Sequence, residues 1–154
     1  MSVTVQNDDI RAITQGILVT KATAALPQST DGALFTIATG RILLLGLVGE
    51  VTTVIQTQAN NTKLKLNPTA TGADQDLCAV LNITADAVGE LYTISGTVGD
   101  ALRSDLLIGT PLLTNPLVLS EGDIELDCAA SNTGSVAWDI VYVPFDDGAT
   151  VVAA

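Results

Sequence analysis

The segment Ser120–Ser131 reads SEGDIELDCAAS, and its alternation of acidic and apolar residues decides the fold class that we predict. Acidic side chains occupy every second position, and apolar ones stand between and after them: Glu121, Asp123, Glu125 and Asp127 against Ile124, Leu126 and Cys128. Successive side chains of a β-strand point to opposite faces. The segment therefore predicts one strand with a solvated acidic face and a buried apolar face.

Short runs of β-branched and aliphatic residues, separated by turn residues, continue along the rest of the chain. They include GILVTKA, GALFTIAT, RILLLGLVGEVTTVIQT, TKLKLNP, DLCAVLNIT and ELYTISGT. Their spacing is typical of β-sandwiches and barrels, and no sustained helical period interrupts them. We predict an all-β fold, a single-domain antiparallel β-sandwich or jelly-roll-like barrel with little helix.

Four segments differ from this regular pattern. Residues 1–15 and 146–154 are interpreted as an N-terminal arm and a C-terminal tail around a domain of residues 16–145. A proline-containing stretch predicts a long loop, or one short helix around Ala101–Leu107. The run RILLLGLVGEVTTVIQT is long enough for two strands joined near Gly49 or for one long bent strand.

The composition is apolar and acidic, with 47% hydrophobic residues, 15% charged residues and a net charge of −11. This charge repels phosphate backbones and anionic membranes, so we expect no nucleic acid and no membrane as partner. The N-terminus MSVTVQNDDI lacks the apolar region of a secretory signal. Low charge density combined with high apolarity indicates that another subunit covers part of the surface.

The residue types that carry most enzyme chemistry are scarce. The chain has no His, which removes the commonest general base, the usual zinc ligand and the Ser–His and Cys–His nucleophile pairs. No nucleophile elbow and no phosphate-binding loop occurs. Cys78 and Cys128 are expected to be buried thiols, with a disulfide as the alternative if their strands are neighbours. We predict no enzymatic activity, no cofactor and no metal.

The four acidic residues Glu121, Asp123, Glu125 and Asp127, here called the acidic ladder, are the remaining candidate site. Four rungs of a straight strand span about 20 Å, whereas two oxygens that bind one Ca²⁺ lie within about 5 Å of each other. One straight strand therefore cannot bring all four carboxylates to one ion. Neighbouring rungs approach the carboxyl spacing of about 5–5.5 Å in a retaining glycosidase, but the chain has few aromatic residues to bind a sugar.

Lys63 and Lys65 form a short basic face in TKLKL, with Leu64 and Leu66 behind it. Opposite charges on facing strands attract each other. We hypothesise that these lysines meet part of the acidic ladder, within one subunit or between two. The alternatives are two independent solvated faces, or contact of the ladder with an ion or another subunit.

Three stretches carry a family resemblance: GRILLLGLVGEVTTVIQT, NNTKLKLNPTATGADQDLCAVLNIT followed by GELYTISGT, and VAWDIVYVPFDDGATVVAA. Together they resemble small β-rich virion proteins of tailed bacteriophages, among them the capsid decoration (cement) proteins of the head. The resemblance covers about Gly32–Ala154. It implies a homotrimer that is made in the host cytoplasm and binds the capsid exterior, with the major capsid protein as its partner. Such a trimer bridges capsomers and reinforces the shell against packaged DNA.

Two contacts are predicted for such a protein. The run GSVAWDIVYVPF is apolar on both faces except at Asp139, and we expect it to pack against another subunit through Val136, Trp138, Ile140 and Tyr142. We expect the arm Ser2–Gln15 to contact the capsid or a neighbouring copy. Lys63, Lys65 and the acidic ladder complete the candidate interface residues.

Two other functions stay open. A phage tail or fibre component would share the composition and the trimer. A carbohydrate- or calcium-binding β-sandwich module would use the acidic loops around Asp74 and Asp76, or around Asp146 and Asp147.

Overall fold

A computed structural model describes residues 6–106 and 108–154 as an antiparallel β-sandwich of two six-stranded sheets. The all-β prediction is confirmed, and no barrel closes within these residues. The elements are α1 Asn7–Gln15, β1 Ile17–Ala25, β2 Asp31–Ala38, β3 Ile42–Thr53, β4 Asn61–Pro68, β5 Gln75–Asp76, β6 Leu81–Asn82, β7 Glu90–Thr93, β8 Arg103–Leu106, β9 Leu117–Leu119, β10 Gly122–Cys128, β11 Ser135–Pro144 and β12 Thr150–Ala153.

The sheet order places the opening segment at the centre of the sandwich. The first sheet has the order β1-β11-β3-β7-β8, and β9 also pairs with β3. The second sheet has the order β12-β2-β10-β4-β5, and β6 also pairs with β4. Strand β10, which contains the acids Asp123, Glu125 and Asp127, therefore lies between β2 and β4. The long aliphatic run forms one strand, β3, rather than two.

The core lies between the two sheets, and β11 contributes one complete face to it. Val136, Trp138, Ile140 and Tyr142 are at most 4% exposed in the single chain. Their predicted role as subunit contacts therefore needs correction, because the second sheet of the same chain already covers them. Only the opposite face of β11 remains available to a neighbour.

Close packing of Trp138 depends on a glycine in the neighbouring strand. Gly49 lies directly opposite Trp138 in the β3–β11 pair. A Cβ at position 49 would lie 2.8 Å from the indole ring, which is inside the contact distance. The ring also stacks on Tyr92, with a centroid distance of 6.4 Å.

Both chain ends are more regular than the sequence indicated. Residues 7–15 of the expected arm form helix α1, while residues 1–5 lie outside the described residues. In the expected tail, β12 pairs with β2 and buries Val151, so this segment belongs to the second sheet. The prediction of a short helix around Ala101–Leu107 is wrong, because Arg103–Leu106 forms a strand that pairs with β7. Leu107 lies outside the described residues.

The two cysteines are free and buried, as predicted. Burial in an apolar environment raises the pKa of both thiols above the ordinary value. Both residues therefore act as small core hydrophobes. Within the described residues, no helix is long and apolar enough to cross a membrane.

Candidate functional site

The acidic ladder meets the two lysines within one chain. In the β4–β10 pair, Lys65 lies opposite Glu125 and Lys63 lies opposite Asp127. The Lys65 Nζ atom is 3.5 Å from Glu125 Oε2, and the Lys63 Nζ atom is 4.0 Å from Asp127 Oδ2. The hypothesised pairing is confirmed for these two rungs, and it is intramolecular.

The other two rungs of the ladder have different surroundings. Asp123 accepts a hydrogen bond of 2.6 Å from Thr36 Oγ1 on β2 and lies opposite Asn67 on β4. Glu121 precedes the strand and is exposed. These two carboxylates do not contact the lysines.

Three further carboxylates complete what we call the lysine–carboxylate network. Lys65 Nζ lies 2.5 Å from Asp31 and 2.6 Å from Asp74, and Lys63 Nζ lies 2.7 Å from Asp76. Asp31 begins β2, and the β4–β5 hairpin brings the other two back over β4. The network comprises Lys63, Lys65, Asp31, Asp74, Asp76, Glu125 and Asp127.

The centre of the network is buried, although it lies on the outer face of the second sheet. The side chains of Lys65 and Glu125 are only 8% and 12% exposed, because the flanking strand and the hairpin cover them. The predicted solvated face is thus wrong at Glu125. Burial by itself lowers the pKa of Lys65, but hydrogen bonds to Asp31 and Asp74 outweigh it and raise this pKa. Lys65 is therefore held protonated.

The same carboxylates resemble a cation site in geometry. One oxygen each from Asp31, Asp74 and Glu125 lie within 4.8 Å of one another, which is compact enough for a divalent cation. The ammonium of Lys65 lies among them and already supplies positive charge. The arrangement neutralises buried charge by means of the chain's own lysine. The absence of a metal stays a prediction.

The second acidic loop also contains an ion pair. Arg41 donates hydrogen bonds from Nε and Nη2 to the two carboxylate oxygens of Asp146, at 2.8 and 2.7 Å. This contact lowers the pKa of Asp146 to about 2. The guanidinium carbon lies 4.9 Å from the ring centroid of Phe145.

The outer face of the first sheet presents an uncharged surface that we call the apolar patch. Cross-strand pairs place Leu18 beside Val141, and Leu43 between Val118 and Val143. Leu18, Leu112 and Val118 are 61%, 53% and 48% exposed. The patch comprises Leu18, Leu43, Leu45, Leu112, Val118, Val141 and Val143.

A cavity of about 570 Å³ opens between this patch and helix α1. The apolar side chains that line it are Leu18, Leu45, Leu112, Leu113, Pro116 and Val141, and α1 contributes Arg11, Thr14 and Gln15. Leu112 packs directly against the backbone of Gly46, where a Cβ would lie 2.5 Å from Leu112 Cδ2. The loop before β9 thus forms one wall of the cavity.

Helix α1 carries a second apolar feature. Ile10 and Ile13 are three residues apart and therefore share one face of the helix. They are 49% and 78% exposed. A contact was predicted for Ser2–Gln15 as a whole, but these two side chains and the apolar patch were not predicted. Their signal in the sequence is weak, because isolated exposed aliphatic residues are common on protein surfaces.

Comparisons with known proteins add no relative. No protein-family model matches the chain, and no curated protein or solved structure matches it significantly.

Proposed function

We propose that this protein is a viral structural protein, a capsid decoration protein that binds the outer face of a phage head and stabilises contacts between capsomers. The assignment to the phage head rests on the sequence resemblance to capsid decoration proteins. The observation that carries the binding role is the apolar patch on the outer face of the first sheet, since contiguous exposed apolar surface commonly marks a protein contact.

The distribution of charge supports this role. None of the seven patch residues is ionisable, although the chain has 17 acidic and 6 basic residues. Asp139 lies on the same face of β11 beside Val141, at the edge of the patch, and accepts a hydrogen bond from Thr20. An acidic protein approaches another protein with least repulsion through the uncharged patch itself. A trimer would present the patch three times, so that modest single contacts add up to high avidity.

The lysine–carboxylate network supports a structural role in a different way. Lys65 joins residues of β2, β4, β10 and the β4–β5 hairpin through three carboxylates. Such a connection ties neighbouring strands of the second sheet together. A sheet held in this manner suits a protein that transmits load between capsomers.

Two alternative functions would each use a specific feature of the structure. A tail or fibre component would use the same apolar patch and differ only in its position on the virion. A calcium-binding module would use the carboxylates of Asp31, Asp74 and Glu125, but Ca²⁺ would have to displace the Lys65 ammonium. A melting temperature that rises with Ca²⁺ and falls with a chelator would favour that module.

The experiment that tests the proposal locates the protein on purified virions. Gradient-purified particles from the natural source are analysed by quantitative mass spectrometry and cryo-electron microscopy. We expect a copy number comparable to that of the major capsid protein, and density on the outer surface of the head. A few copies confined to the tail would favour the tail component, and absence from the particles would refute both virion assignments.

A further inference from the structure

Helix α1 separates two features that fit one another. Residues of an α-helix advance by about 100° each, so Ile10 and Ile13 lie on one face of α1, and Arg11, Thr14 and Gln15 lie on the neighbouring face. The latter face lines the 570 Å³ cavity. One copy of the chain therefore presents an apolar protrusion on one side of α1 and an apolar recess on another.

The two features match in chemistry. The recess is lined mainly by aliphatic side chains, and its volume lies in the range of about 300–1,000 Å³ that is typical of binding pockets. The protrusion consists of two aliphatic side chains, and Ile13 is 78% exposed. Each surface alone leaves apolar area in water, which association would remove.

Charge also favours a second copy of this acidic chain at this place. Among the described residues that line the recess, the basic Arg11 is the one ionisable residue, and none is a carboxylate. The whole chain, by contrast, carries a net charge of −11. Two identical acidic chains therefore repel each other less here than at the acidic ladder.

We propose that Ile10 and Ile13 of one copy insert into the cavity beside α1 of a second copy. The two contacting surfaces differ, so the contact is heterologous, and it forms a ring where its repeated rotation closes after a whole number of copies. A ring of three copies agrees with the trimer that the family resemblance implies. The inference rests on the proposed function, because it assigns part of the apolar patch to a second copy of the chain. Val118 and Val143, at the far end of the patch, remain available to bind the capsid shell.

Sedimentation velocity of the purified full chain tests this contact with two variants. Ile13→Asp removes the protrusion, and Leu18→Asp places a charge at the rim of the recess; both positions are exposed, so the fold should survive. The control is Val152→Asp, at a valine on β12 of the other sheet that is 55% exposed. Thermal midpoints of all variants are measured to confirm folding.

We expect the wild type and Val152→Asp to sediment at three times the chain mass, and each of the other two variants as a monomer. A mixture of Ile13→Asp and Leu18→Asp should form a one-to-one dimer, because one intact protrusion then meets one intact recess. A monomeric wild type, or trimers that persist in both variants, would overturn the inference.

The two proposals fail separately. A trimer that is absent from virions would contradict the capsid assignment alone. A monomer that decorates heads would contradict the ring alone.

Discussion

Lys65, at the centre of the lysine–carboxylate network, should contribute far more to the free energy of unfolding than Lys63, two residues away. Lys65→Met removes the ammonium and keeps most of the aliphatic stem. It leaves the carboxylate of Glu125, whose side chain is 12% exposed, without its cation. Removal of one partner from a buried ion pair typically costs about 3–5 kcal/mol.

We expect about 3 kcal/mol for Lys65→Met, at the lower end of that range of about 3–5 kcal/mol. The reason is that Asp31 and Asp74 are 41% and 42% exposed, so solvent screens their share of the interaction. The matched control is Lys63→Met. Lys63 and its partners Asp76 and Asp127 are 25%, 46% and 33% exposed, and a pair of this kind contributes about 0.5 kcal/mol.

Urea denaturation provides the assay, with the transition midpoint as the readout at an unchanged m value. Glu125→Gln combined with Lys65→Met should destabilise by less than the sum of the two single changes, with a coupling of about 1–2 kcal/mol. Equal losses for the two lysine variants, or additivity in the double variant, would refute the reasoning.

The dependence on pH has a defined sign. The pKa of Lys65 is raised above its ordinary value of 10.5 in the folded state. Its stabilising contribution is therefore fully present below pH 10.5, and it is lost as pH rises through the folded pKa. The difference between wild type and Lys65→Met should stay constant from neutral pH to pH 10.5 and shrink only in more alkaline solution.

Three further predictions address the rest of the chain. Val151→Asp should destabilise by about 3 kcal/mol, because it places a charge in the core, whereas Val152→Asp on the exposed face of β12 should change stability by less than about 0.5 kcal/mol; equal effects in urea would show that β12 is not part of the sheet. Cys78 and Cys128 should resist an aqueous thiol reagent in the native state and both react after unfolding; rapid labelling of the native protein would contradict their burial. Arg41→Gln should raise the pKa of Asp146 from about 2 towards its ordinary 3.8 in an NMR titration, and an unchanged value would mean that Arg41 is not the cause.

The alternation of the sequence was sufficient to predict the strands but not their neighbours. β10 and β4 show a two-residue period, and the opposite charges of their outer faces predicted the pairing of Lys65 with Glu125. Asp31 and Asp74 were not predicted as partners of Lys65, because they arrive from a different strand and from a hairpin. Their approach depends on sheet order and on the β4–β5 register, which local patterns do not encode.

Face assignment failed where both faces of a strand are apolar. In β11 the pattern identified Val136, Trp138, Ile140 and Tyr142 as one face, but it could not tell core from interface. The decision depends on which face the second sheet covers. β12 and β8 were missed because four residues are too short to show a period, and they become strands by pairing with β2 and β7.

The measurement that tests the central claim most directly is the copy number and position of this protein on purified virions. The proposed function predicts an abundance close to that of the major capsid protein and density on the outside of the head. Intact virions that lack the protein, or that carry it only in a few copies on the tail, would contradict the assignment as a capsid decoration protein.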